Sequence, residues 1–317
     1  MTPESRTLAV NGLQMRVTLA GDGPLVLLCH GFPELAHSWT HQVDALAQAG
    51  FRVAAPDMRG YGGTDAPHEV EAYTLLHLVA DMVDLVRQLG QEQAVIVGHD
   101  WGAAVAWNAA LLRPDLFRAV AGMSVPYAPP GKVDLLSSLE RAGIADFYMQ
   151  YFQPEGVAEA ELERDPEASI RRIHWSGSGD APQRTTFGRL GTGALLDNTS
   201  EPPQLPTWLG AQDLAVYARA FGETGFRGPL NWYRNLRRNN ALLAPWRGLP
   251  IRQPSLFIAG TRDDVLRFPA SQAQIDAYPR TLPGLRGLHL IDGAGHWIQR
   301  ERADGVSDHL IRFLRGL

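Results

Sequence analysis

Asp100 stands in Gly98-His99-Asp100-Trp101-Gly102, directly after the apolar run Val95-Ile96-Val97 and ahead of an alanine-rich segment. A strand that turns so abruptly into a helix lifts the side chain at its apex above a sheet, where it can attack. Serine at such an apex attacks acyl groups. A carboxylate displaces a leaving group from alkyl carbon and becomes an ester of its former substrate. Water must then cleave that ester, so the site also needs a general base and donors for an oxyanion. A helix N-terminus favours the ionised carboxylate through its dipole and its free N–H groups. Gly98 and Gly102 give the turn room and let helix and strand come close. The same five residues also read as a turn with an N-cap aspartate. The rest of the chain has to decide.

Two further segments supply what the ester needs. The predicted strand 255–259 runs into Gly260-Thr261-Arg262-Asp263-Asp264, and the predicted strand 288–291 into Asp292-Gly293-Ala294-Gly295-His296-Trp297. Asp100, Asp263 and His296 thus each lie just past the carboxyl end of a strand, where open parallel sheets place their ligands. Their order is the nucleophile–acid–histidine order of the α/β-hydrolases. His296 would take a proton from water, and an aspartate would orient and stabilise its ring. Asp263 and Asp264 both fit that place, and either could instead cap the next helix. His30-Gly31-Phe32-Pro33 follows the first buried strand. The backbone N–H groups of Phe32 and Trp101 are therefore the candidate oxyanion hole.

These loops need a sheet to carry them. Residues 7–20 alternate around Asn11-Gly12, a hairpin signal. Continuous or near-continuous apolar runs at 25–29, 51–55 and 119–125 read as strands buried on both faces. Leu75, Val79, Met82, Val83, Val86 and Leu89 form one stripe of a helix over 73–89. Strand and helix alternate as in a doubly wound, mostly parallel α/β sheet, and a last helix is expected at 303–315. From 128 to 245 the pattern breaks into helical pieces, with a loop at 180–206 marked by Gly188, Gly191, Gly193 and Pro202-Pro203. The expected organisation is an α/β-hydrolase core of residues 1–127 and 246–317 with a helical cap of residues 128–245.

Composition narrows the partners. The 317 residues are 45% hydrophobic and 20% charged, with net charge −5 and one cysteine. No basic run exists, which argues against nucleic acid or an anionic membrane as partner. No apolar run approaches a membrane span, no leader is expected, and the lone Cys29 fits a reducing, cytoplasmic setting. Neither a His-Glu-x-x-His nor a paired-cysteine motif occurs, so no metal is expected. Asp57-Met58-Arg59-Gly60-Tyr61-Gly62-Gly63 lacks dinucleotide-loop spacing and is read as structural, with Arg59 pairing to Asp57. His99 is read as a packing residue.

Taken together these residues resemble the soluble epoxide hydrolase family, over about residues 20–315. His30-Gly31-Phe32-Pro33-Glu34, Asp57-Met58-Arg59-Gly60-Tyr61-Gly62 and Gly98-His99-Asp100-Trp101-Gly102 carry the likeness in the core. Tyr151-Phe152-Gln153, Gly156-Val157-Ala158-Glu159 and, above all, the long run 225–235 from Gly225 to Asn235 carry it in the cap. One departure is Gln153-Pro154-Glu155-Gly156, where the family pattern would reverse the acid and the proline; it affects a turn. The resemblance implies Asp263 as the acid and two cap tyrosines over the nucleophile, which by position are Tyr148 and Tyr233, with Tyr151 one helical turn from the first. It further implies a small epoxide and water as partners, a vicinal diol as product, and no cofactor. Phe32, Trp101 and Trp297 are expected to line the pocket. Haloalkane or haloacid dehalogenases share the aspartate nucleophile, and a ligand-binding homologue with little turnover is a third reading. Halide leaves without a proton, so a dehalogenase gains nothing from two tyrosines. No Gly-x-Ser-x-Gly follows a strand, which disfavours a serine esterase. Oligomeric state is not legible.

Overall fold

The computed structural model describes residues 2–182 and 188–317. Its centre is one sheet of eight strands in the order β1-β2-β4-β3-β5-β6-β7-β8. These are β1 (Glu4–Val10), β2 (Leu13–Ala20), β3 (Leu25–Cys29), β4 (Arg52–Pro56), β5 (Ala94–His99), β6 (Phe117–Met123), β7 (Ser255–Gly260) and β8 (Leu285–Ile291). β1 and β2 form an antiparallel hairpin, β2 meets β4 antiparallel, and every other pairing is parallel. Asn11 and Gly12 at the hairpin tip have φ of 47° and 80°, the pair of positive values that a two-residue primed turn requires.

β3, β5 and β7 are buried at every residue, as strands covered on both faces must be. One cover includes α1 (Thr40–Gln48) and the C-terminal helix, and the other includes α2 (Leu75–Gln88) and α3 (Trp101–Leu112). The six residues of the expected α2 stripe are all buried, Leu89 as its C-cap. Cys29 lies at the inner end of β3, fully buried, and burial pushes its thiol well up.

Between β6 and β7 the described residues form helices: α4 (Leu135–Arg141), α5 (Tyr148–Tyr151), α6 (Val157–Leu162), α7 (Pro166–Gly177), α8 (Ala211–Thr224), α9 (Arg227–Arg234) and α10 (Leu236–Leu242). Of the loop expected at 180–206, residues 183–187 lie outside the described residues; the remainder holds a short turn of helix at Leu196–Asn198. After β7 come α11 (Pro269–Asp276) and α12 (Tyr278–Thr281), and after β8 come α13 (Ile298–Glu301) and α14 (Ala303–Arg315). No described helix is long and apolar enough to cross a membrane.

Three local expectations are corrected. β6 ends at Met123 rather than 125, because Ser124 takes φ 67° and turns the chain out of the sheet. β8 begins at Leu285 rather than 288; as an edge strand it alternates in exposure and carries Arg286 and Gly287, so its start does not read as an apolar run. Arg59 pairs with Asp81 on α2, not with Asp57: its Nε and Nη2 reach the two carboxylate oxygens at 2.8 and 2.6 Å. Asp57 instead accepts the N–H groups of Ala36 and Gly63, bracing the loops after β3 and β4. A buried guanidinium is satisfied best by a bidentate carboxylate, and Asp81 offers one.

Candidate active site

The elbow at Asp100 is tight because only glycine fits its flanks. A Cβ on Gly98 would lie 1.9 Å from the carbonyl oxygen of Gly102, and one on Gly102 would lie 2.0 Å from that of Cys29. Asp100 at the apex has φ 52° and ψ −120°, a conformation costing on the order of 1–3 kcal/mol for a residue with a side chain. Backbone bonds hold it there. Its N–H donates to Met123 at 3.3 Å, and its carbonyl accepts from Ala103 at 3.0 Å to start α3. The side chain is thereby lifted over the carboxyl ends of β3, β5 and β6.

Two loops reach that carboxylate, and a third reaches it through His296. The Phe32 N–H, from the loop after β3, donates to Asp100 Oδ1 at 2.8 Å. His296, from the loop after β8, holds Nε2 3.6 Å from Asp100 Oδ2. On its other side His296 Nδ1 faces Asp263 Oδ1 at 3.2 Å. Asp264 turns away to Arg267 at 2.9 Å. Asp263 also caps the next turn, accepting the Val265 N–H at 2.9 Å, so its capping and its histidine contact coexist in one carboxylate. Trp101, whose N–H is the first of α3, sets its ring edge-on to Tyr233 with centroids 5.1 Å apart.

The electrostatics follow from this crowding. Burial alone would pull the His296 imidazole down. The charge and hydrogen bond of Asp263 and those of Asp100 outweigh it and hold the ring well above its ordinary value. Burial likewise pushes Asp263 up, yet the charge of His296 and the hydrogen bonds of His296, Ser124 and Val265 leave it below the usual carboxylate range.

Tyr148 on α5 and Tyr233 on α9 come from the inserted helices. Their ring centroids lie 6.1 Å apart, and Tyr233 packs edge-on against Phe32 at 5.4 Å and Phe152 at 4.9 Å. Burial, followed by the charge of Asp100, raises both phenols well above their ordinary value, so both keep their protons. Two cavities meet at these residues. One is lined by Phe32, Asp100, Tyr148, Tyr233, His296 and Trp297. The other shares Asp100, Tyr148 and Tyr233 and adds Trp101. Tyr151 points elsewhere, its hydroxyl on Glu161 at 2.9 Å.

Beneath the elbow lies a buried polar network. Glu34 accepts from His99 Nδ1 at 2.7 Å, Gln299 at 2.7 Å and the Gly31 N–H at 3.1 Å. His99 Nε2 reaches the carbonyl of His296 at 2.7 Å. The His99 ring lies between a carboxylate and a carbonyl and ties the Phe32 loop to the His296 loop. His99 is thus more than packing. Glu301 does similar work at the border with the inserted helices, accepting the N–H groups of Gly179, Gly295 and Trp297 at 2.8, 2.9 and 3.1 Å. Trp297 Nε1 donates to the carbonyl of His174 on α7 at 2.6 Å.

Sequence reasoning passes over Glu34, Glu301 and Ser124 as members of this constellation. Ser124 Oγ lies 2.8 Å from His296 Nδ1. Its signal is a lone polar residue at the carboxyl end of a buried strand, next to the strands that carry Asp100 and Asp263.

The geometry brings all eight expected side chains to one place, and comparison with known proteins shows the family to which such a fold belongs. Residues 24–303 match the model of the alpha/beta hydrolase fold family. Epoxide hydrolase A of Mycobacterium tuberculosis is 45% identical over 99% of this chain and 98% of its own. The structure of an epoxide hydrolase from an endophytic Streptomyces superposes with a TM-score of 0.95 at 45% identity, covering 99% of this chain and 96% of that one. Epoxide hydrolase A from Mycobacterium thermoresistibile gives 0.93 at 45% identity, covering 100% and 99%. An aspartate-tipped elbow on this sheet and nearly full-length likeness to such proteins lead to one assignment: the chain belongs to the epoxide hydrolase family of the α/β-hydrolase fold.

Proposed function

We propose that the protein converts an epoxide and water to a vicinal diol through an ester on Asp100. Oδ2 of Asp100 attacks a ring carbon and the C–O bond breaks. The departing oxygen is a poor leaving group unless it gains a hydrogen bond or proton, which Tyr148 and Tyr233 supply. Oδ1, already on the Phe32 N–H, becomes the ester carbonyl oxygen. Water then attacks the ester carbon as His296 takes its proton, and the N–H groups of Phe32 and Trp101 hold the oxyanion. Collapse releases the diol, restores the Asp100 carboxylate and returns the proton to the tyrosine.

Esterification itself readies the base. While Asp100 is ionised its charge helps keep His296 protonated. Once Asp100 is an ester that contribution is gone, the imidazole loses its proton more readily, and it can act on water. Residues 128–245 serve as the cap that carries the tyrosines and shelters the cavities. Phe32, Trp101 and Trp297 give those cavities an apolar wall suited to apolar or aryl epoxides. The lone buried Cys29 supports a cytoplasmic setting.

The observation that carries this reading is the Asp100 carboxylate placed between the Phe32 N–H and His296, in cavities walled by two protonated tyrosines. Product analysis with an aryl epoxide and, separately, a terminal haloalkane tests it. Diol without halide is expected, with no diol from Asp100→Ala. Halide without diol would make the protein a dehalogenase, and persisting diol from Asp100→Ala would remove the ester mechanism.

A further inference from the structure

Among the described residues, three other than glycine adopt positive φ: Asn11, Asp100 and Ser124. Asn11 belongs to a hairpin turn, and Asp100 is the apex of the elbow. Ser124 has no such excuse. It is the middle residue of a γ-turn closed by the Val125 N–H on the Met123 carbonyl at 2.7 Å, a strained arrangement when the middle φ is positive. Its own N–H donates to Ile258 of β7 at 3.0 Å, while the Met123 carbonyl also takes the N–H of Asp100. The turn is therefore pinned between the strands that carry Asp100 and Asp263.

Glycine would take this conformation without strain. What serine adds is a hydroxyl. Ser124 is fully buried, and its Oγ lies 2.8 Å from His296 Nδ1, nearer than Asp263 Oδ1 at 3.2 Å. With Nε2 left free to receive a proton from water, Nδ1 carries the ring hydrogen, and two acceptors stand around it. The hydroxyl's own proton has the Asp263 carboxylate close by, which it helps to hold ionised.

We propose that Ser124 is a positioning residue for the ester-cleaving half of the reaction: its Oγ shares the Nδ1 hydrogen with Asp263, fixes the ring plane so that Nε2 faces the ester, and steadies the ring once it is charged. This rests on the reading of His296 as the base. Ring opening uses Asp100 and the tyrosines, so Ser124 acts on one half-reaction only. The other ionisable groups facing His296 are Asp100, Asp263 and His99, whose ring lies 4.8 Å away. His174, farther off, feels the charge of His296 as well. A change at Ser124 removes none of these groups; it takes from Asp263 the hydroxyl that helps to hold it ionised.

Single-turnover kinetics with an aryl epoxide separate the two halves. Ser124→Ala deletes Oγ and keeps the strained turn; Ser124→Gly deletes Oγ and relieves it. In both, ester formation is expected within about 2-fold of the parent and ester hydrolysis about 10-fold slower, the scale of one charge-assisted hydrogen bond. The acid limb of hydrolysis should move to lower pH, because the charged ring has lost an acceptor. Hydrolysis at the parental rate in either variant, or both half-reactions falling together, would overturn the proposal. A parent enzyme that forms no ester overturns the epoxide mechanism as well. A parent that does form it, matched by Ser124→Ala, overturns the role of Ser124 alone.

Discussion

The sheet and the inserted helices build the two walls of the site in different ways. On the sheet side the groups proposed to react are fixed by backbone: Asp100 by its pinned turn, the Phe32 N–H by the loop after β3, His296 by carbonyl and N–H contacts on both flanks. On the inserted side Tyr148 and Tyr233 stand in a cluster of rings, held by packing against Phe32, Trp101 and Phe152. A backbone-fixed wall has no slack, and a change there threatens the fold. An aromatic wall can lose a hydroxyl and keep its shape. In the proposed reaction the first stores geometry and the second supplies a proton donor.

That contrast can be broken at Gly98. A methyl group there meets the Gly102 carbonyl, which cannot swing aside without dislodging α3 from β5. Gly98→Ala is expected to lose roughly 3 kcal/mol of stability or more, read as a fall in the denaturation midpoint, with activity lost in parallel. A variant of parental stability would show that the elbow has slack after all.

Glu34 sharpens the same point through pH. Burial pushes its carboxyl up, but the charge and hydrogen bond of His99, the charge of His30 and the Gly31 N–H bring it down to about 2 from 4.5. A group depressed in the folded state contributes its full stability above the unfolded value and loses it as pH falls through the folded one. The shift corresponds to about 3 kcal/mol. Glu34→Gln should therefore be less stable than the parent by about that amount at pH 7, with the gap narrowing between about pH 4.5 and 2. Urea midpoints across that range check it, and a gap independent of pH would refute the assignment.

On the other wall, Tyr233→Phe should leave the melting temperature nearly unchanged and slow ester formation about 100-fold, with hydrolysis of the ester less affected. An unchanged rate of ester formation would reduce Tyr233 to packing.

How much could be read from the chain follows the same division. The sheet side is written in short contiguous runs, because a strand, its turn and the loop residue beyond it are neighbours in sequence. Asp100, His296 and the pair Asp263-Asp264 stand out for that reason, with family likeness choosing Asp263 from the pair, as does the apolar stripe of α2. The tyrosines do not: nothing in the local pattern of 128–245 singles out Tyr148 over Tyr151, and only family likeness points to it. Glu34, Glu301 and Ser124 escape for another reason. Their meaning lies in partners as many as 265 residues away, such as Gln299 for Glu34. Arg59 failed similarly, since a loop arginine near Asp57 says nothing about a helix carboxylate at Asp81.

Cys29 offers a further use of the same architecture. It is the chain's only thiol, buried where β3 runs between β4 and β5, one residue before the loop that carries Phe32. A maleimide can reach it only when that part of the sheet parts from its neighbours. Labelling kinetics at this one sulfur therefore time the opening of the floor of the site, and comparing them with catalytic lifetime separates loss of the floor from loss of the roof.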